Sequence, residues 1–300
     1  CRMPDGSGSG FAAIGGVKDL KQMNARALTE SAATKAVKSR NAKALEPGRY
    51  TVILEPRASA RFLSLLTPIF SAGRGFPGAG APAGGPPGGG PPGAGGAPDG
   101  GGGGGGAAGL FNQIGGPQAF MQGKKVGDKL FSDAFSLKSD IGNQVLRQST
   151  INPDYHPAKP VTWIEKGVLR AMGQGAGATT NQSLVQEGSN LSVEQMIKQT
   201  KRGLLVTSFW YIRGVPSQQQ PLLNTGMTRD GLFLIENGEI VGPVQNFRWN
   251  MSPLVGYNNL TLVGKPVPMD MGEAFGGGNA ALVPPVRIEE FYMTSVSPAV

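Results

Sequence analysis

Residues 201–250 read KRGLLVTSFWYIRGVPSQQQPLLNTGMTRDGLFLIENGEIVGPVQNFRWN, and the fold is decided there. Within it, residues 204–212 are dense in β-branched and aromatic side chains and long enough to cross a sheet, which predicts a strand. Lys201-Arg202-Gly203 just before it predicts a helix stop, because glycine after two basic residues suits a left-handed turn at the negative end of a helix. Residues 232–236 and 239–242 flank Asn237-Gly238; both turn residues tolerate positive φ, so a type I′ hairpin is predicted. Residues 225–231 are polar, charged and glycine-bounded, and predict a turn presenting side chains at the end of a sheet.

Working outward, 300 residues with 39% hydrophobic content can bury a sizeable core. The hairpin, and the absence of regularly alternating helices, predict an α+β fold: a large, mainly antiparallel sheet with a few helices. Forty-eight glycines are many, but they concentrate. Residues 73–109 hold 20 glycines and seven prolines with Arg74 and Asp99 as the charges, a composition that buries little and predicts a disordered surface insertion. Residues 18–43 carry seven basic and two acidic side chains within a net charge of +8; without interleaved aromatics they predict a solvated helix face, not a nucleic-acid site. No apolar run is long enough to cross a membrane as a helix, and the single cysteine suits a reducing, cytoplasmic setting.

Asn24 is placed to cap a helix with Ala25, Leu28, Ala32 and Ala36 on one arc, running toward Pro47-Gly48. Residues 49–55 predict a strand, and Pro56 opens a second helix whose buried stripe is Ala58, Phe62, Leu65 and Ile69. Val126, Leu130 and Phe131 are spaced for burial, residues 135–137 for a short strand, and 161–169 for strand, turn, strand. Ser192 and Gln195 form a capping box; residues 244–249 and 286–293 predict further strands. The glycines at 6–10 and 173–177 lack the lysine of a phosphate loop.

Several of these strings, in order, resemble the C-terminal domain of the TldD/PmbA family of metallopeptidases: residues 123–130, the run from Lys201 through Trp210-Tyr211-Ile212-Arg213, Thr228-Arg229-Asp230-Gly231, Glu236-Asn237-Gly238-Glu239, Asn246-Phe247-Arg248 and Thr294-Ser295-Val296-Ser297. The resemblance implies two parts. Residues 1–48 would end a truncated preceding region, consistent with a start at Cys1, and 49–300 would be the β-rich domain interrupted by the insertion at 73–109. Catalytic members carry a His-Glu-x-x-x-His zinc motif on a helix near this point, where Ser64-Leu65-Leu66-Thr67-Pro68-Ile69 stands here.

His156 is the only histidine and Cys1 the only thiol, too few for an ordinary catalytic zinc site. The departure resembles the PmbA (TldE) branch. It implies a non-catalytic subunit without metal or cofactor of its own, paired with a TldD-type partner that carries zinc and acts on peptides. Thr228, Arg229 and Asp230 are the candidate peptide-binding residues, with an Arg–Asp pair rigidifying a turn as the alternative for the last two. A stand-alone peptide-binding or scaffold protein stays open beside this reading. A self-sufficient hydrolase built around His156 is the third, although no Gly-x-Ser-x-Gly elbow exists to present a serine.

Overall fold

Asn24 accepts a hydrogen bond from the Ala27 amide and starts α1, Ala25–Lys38, which buries Ala32 and Ala36. The computed structural model, which describes residues 1–71, 115–147, 149–152, 155–173, 177–272 and 279–297, ends this helix well before Pro47. The insertion at 73–109 therefore lies outside the described residues, as does Gly175 of the glycines at 173–177. Strand β1, Gly48–Leu54, runs into α2, Pro56–Ser64, with proline at the first turn. Then come α3 (Pro117–Met121), β2 (Leu137–Ser139), β3 (Val161–Glu165), β4 (Val168–Leu169), β5 (Leu184–Gln186) and α4 (Val193–Lys198), whose Ser192/Gln195 capping box is formed. Helix α4 stops at Lys198, earlier than expected. Lys201 leads directly into β6, Arg202–Gly214, and Gly203 serves close packing: a Cβ there would lie 2.6 Å from the Thr51 carbonyl oxygen.

Strand β6 pairs antiparallel with β7, Asn224–Glu236, which turns at Asn237 (φ 50°) and Gly238 (φ 82°) into β8, Glu239–Pro243. The remaining elements are β9 (Phe247–Met251), α5 (Pro253–Asn258), β10 (Leu260–Val263), β11 (Val267–Asp270), β12 (Ala280–Val283) and β13 (Val286–Val296). Among the described residues the strands form two sheets. The smaller has the order β11-β12-β5-β2-β3-β4. In the larger, β13 pairs with β9 and also with β1, so β1, β6, β7, β9 and β13 close into a ring, with β8 and β10 attached outside it. Pairing is antiparallel except between β1 and β6 and between β12 and β5. The α+β, mainly antiparallel expectation holds.

Strand alternation sorts the two faces of the ring. Val52, Leu54, Leu204, Val206, Phe209, Phe247, Trp249 and Phe291 join the main core, while Ile53, Leu205, Phe233 and Ile235 face the other way and are covered by Met196 and Ile197 of α4. Phe62 of α2 meets Phe291 at 5.7 Å and Tyr257 of α5 at 5.5 Å, which ties both helices to the ring. Val126, expected to be buried, is 56% exposed in a loop; Leu130 and Phe131 are buried as expected. Among the described residues no helix is long and apolar enough to cross a membrane.

Candidate functional site

The stretch read as a turn at 225–231 lies inside β7. Val206 pairs with Leu232 but Ser208 with Arg229, so Thr207 alone faces both Asp230 and Gly231: a β-bulge. Asp230 (φ 58°) and Gly231 (φ 114°) take the left-handed conformations the bulge needs, and the Thr207 hydroxyl donates to the Gly231 carbonyl at 2.8 Å. Turns and bulges use the same residues, because both need positive φ. Only neighbouring strands tell them apart, and β6 runs alongside throughout while β9 pairs with 224–227 and β8 with 233–236.

The bulge separates the three candidate residues. Thr228 is fully buried, donating to Asn246 Oδ1 at 3.0 Å and accepting from the Phe247 amide at 2.9 Å, so it fastens β7 to the start of β9. Arg229 lies half-buried with its guanidinium 5.3 Å from the Trp210 ring centre. Asp230 is half-buried beside it, and no Arg229–Asp230 ion pair forms. A cavity of about 550 Å³ opens beside the bulge, between Gly231, Asn246 and Ser297 on the ring and Ser9, Ser39 and Asn41 from the N-terminal segment.

Helix α2 buries Ala58 through Leu63. Arg57 donates to the carbonyls of Asp270 and Gly272 at 2.7 and 2.8 Å, and Arg61 to that of Met271 at 2.5 Å, so two arginines one turn apart clamp the end of β11. After them the hydroxyl of Ser64 donates back to Arg61 and that of Thr67 to Ser64, while Leu66 and Ile69 sit in the core. Cys1 and His156 are both exposed, and among the described residues no three His, Cys, Asp or Glu side chains converge.

The family model of the PmbA/TldA metallopeptidase C-terminal domain matches residues 117–295, more than half of the chain. The chain belongs to the PmbA/TldA family. Solved structures share the fold: TldE from Thermococcus kodakarensis (TM-score 0.65, 18% identity, 93% of this chain and 57% of that one), and candidate modulators of DNA gyrase from Bacteroides thetaiotaomicron (0.64, 16%, 92% and 54%) and Thermotoga maritima (0.64, 16%, 92% and 56%). The chain thus spans a little over half the length of these structures. No curated protein matches it significantly.

The family description implies a metal, and the side chains at 64–69 do not suit one. Zinc takes imidazole, thiolate or carboxylate ligands. Here two hydroxyls are engaged with local carbonyls, two aliphatic side chains are buried, and the polar side chains on α2 itself include two cationic guanidiniums.

A second cavity of about 550 Å³ lies between α1, α4 and the sheet, with Lys35 and Glu55 paired at its edge and Glu194, Ile197, Leu205 and Phe233 lining it. Sequence reading missed this pair because its members are 20 residues apart on separate elements. Burial holds the Glu55 carboxyl above the ordinary glutamate range; Lys35 opposes this and Glu194 adds to it. Replacing Lys35 with methionine removes the opposing influence, so the folded-state value rises further. A carboxyl raised on folding contributes stability below its unfolded value, lost as pH climbs through the folded one. Lys35→Met is therefore expected to cost about 1–3 kcal/mol at neutral pH, less than for a fully buried pair because both groups are partly exposed. The cost should shrink below about pH 4, under the unfolded glutamate value. Urea unfolding at both pH values measures it, and an equal cost at each would show that the charge on Glu55 does not matter.

Proposed function

We propose that this chain is a non-catalytic, TldE-like subunit of a two-component metallopeptidase, forming part of a peptide chamber whose zinc and general base come from a TldD-type companion. The observation supporting this is the chemistry of α2 and the residues after it. Where a His-Glu-x-x-x-His helix would present two imidazoles and a carboxylate, this chain has a hydroxyl, buried aliphatics and a pair of arginines holding backbone carbonyls. A protein keeping the fold without the donors contributes shape. Peptides in such a chamber would be held in extended form through backbone hydrogen bonds, a mode tolerant of sequence. Arg229 and Asp230 remain candidates to line it; Thr228 acts by fixing the strand that carries them.

The test is zinc content and peptide cleavage of the purified chain, alone and after co-expression with a family member bearing the intact motif. The expected result is zinc well below one per chain and no cleavage alone, with a stable complex, bound zinc and chelator-sensitive cleavage when the companion is present. Stoichiometric zinc with chelator-sensitive cleavage by the isolated chain would overturn the proposal. Failure to form a complex with any such companion would favour a stand-alone binding protein.

A further inference from the structure

The outward face of the ring carries arginines and aromatics together. Register places Trp210 of β6 opposite Met227 of β7, which in turn faces Arg248 of β9. A second bulge in β6, between Trp210 and Arg213, puts Tyr211 at φ 54°. A left-handed backbone is uncommon for a bulky residue, and bulges re-aim side chains. Here two consecutive aromatics reach solvent, Trp210 being 43% and Tyr211 47% exposed, and Ile212 returns to the core. Arg229 stacks on Trp210 at 5.3 Å and Arg213 on Tyr211 at 4.3 Å, while exposed Arg248 stands next to Thr225 at 3.5 Å. Neither Arg229 nor Arg248 has an acidic partner among the described residues. The nearest carboxylate along β7 is that of Asp230.

We propose that this face binds an acidic polypeptide segment in extended conformation. The Arg229 guanidinium, lying over the Trp210 ring, is oriented before any ligand arrives, and among the described residues no hydrogen bond or ion pair occupies its in-plane N–H fork, which is shaped for a carboxylate. Arg213, by contrast, spends one N–H on the Ile212 carbonyl at 2.7 Å. Arg229 and Arg248 occupy the adjacent strands β7 and β9, about 4.8 Å apart, so they lie within reach of acidic side chains that repeat every second residue, roughly 6.7 Å, along an extended peptide. The net charge of +8 adds long-range attraction. A single-stranded nucleic acid is the less fitting occupant. Base stacking needs open ring faces, and here a guanidinium already takes one face of each ring. The inference does not depend on the companion subunit or on zinc.

Fluorescence anisotropy with a labelled alternating Glu-Gly peptide, its Gln-Gly counterpart and an oligo-dT strand tests it on the whole chain. Expected are salt-sensitive binding of the glutamate peptide, little binding of the glutamine peptide, and a loss of at least about tenfold in Arg229→Gln/Arg248→Gln. Arg26→Gln/Lys38→Gln, which removes the same charge from exposed positions on α1, should change affinity by less than about twofold. Absence of glutamate-peptide binding, equal binding of the glutamine peptide, equal weakening by the α1 variant, or tighter binding of oligo-dT would each overturn the proposal. If the double variant misfolds by circular dichroism, Arg248→Gln alone carries the comparison, since its side chain is exposed.

Discussion

Trp249→Ala is expected to remove about 3–5 kcal/mol of stability, the range for deleting a large aromatic from a core that cannot collapse around the gap. Trp249 is fully buried inside the ring, 4.8 Å from Phe209 and 5.6 Å from Phe291. Its neighbour across the strands is Gly226, where a Cβ would stand 2.6 Å from the indole, so the absent side chain of one residue is filled by the ring of the other. Nothing nearby can move in, because the surrounding strands are locked by ladders on both sides. Trp249→Phe should cost far less, under about 2 kcal/mol, because it keeps much of the ring volume and removes an indole N–H that has no acceptor among the described residues. Thermal or urea unfolding of the two variants measures the difference. Equal costs would mean that the indole packs more loosely than the structure shows.

Gly231→Val is expected to destabilise by roughly 2–4 kcal/mol, combining a left-handed backbone with a steric clash. The φ of 114° is open to glycine and closed to a β-branched residue, and a Cβ would lie 2.8 Å from the Phe233 ring. The consequence reaches beyond stability. The bulge sets the orientation of Arg229 over Trp210 and borders the cavity shared with Ser9 and Asn246. Urea unfolding reads the stability loss, and the glutamate-peptide titration reads whether the arginine has moved; a stable Gly231→Val protein would show that the bulge has an alternative register.

Much of the architecture was legible residue by residue. Asn24 and the Ser192/Gln195 box cap their helices, Pro56 opens α2, and Asn237-Gly238 turns the hairpin, because caps and tight turns depend on side chains only a few residues away. Boundaries were less legible. α1 and α4 stop before the signals expected to end them, and Gly203, taken for a helix terminator, is instead a strand residue pressed against β1. The candidate site suffered most. Thr228, Arg229 and Asp230 looked like a turn because a bulge uses the same glycine and aspartate, and the strands that make the difference are contributed by residues 202–214 and 247–251 on either side.

From its residues alone this chain is committed to a mainly antiparallel α+β fold and to a shortage of metal donors, one histidine and one cysteine in 300 residues, because propensity, local turn chemistry and ligand type belong to single residues or short strings. The closure of the ring through β1 and β13, the Arg57–Arg61 clamp on the end of β11, the Lys35–Glu55 pair and the stacking of Arg229 on Trp210 were settled by folding. Each joins groups separated by 19 to more than 200 positions, and the energy of such contacts depends on distances of a few ångströms that no local pattern encodes.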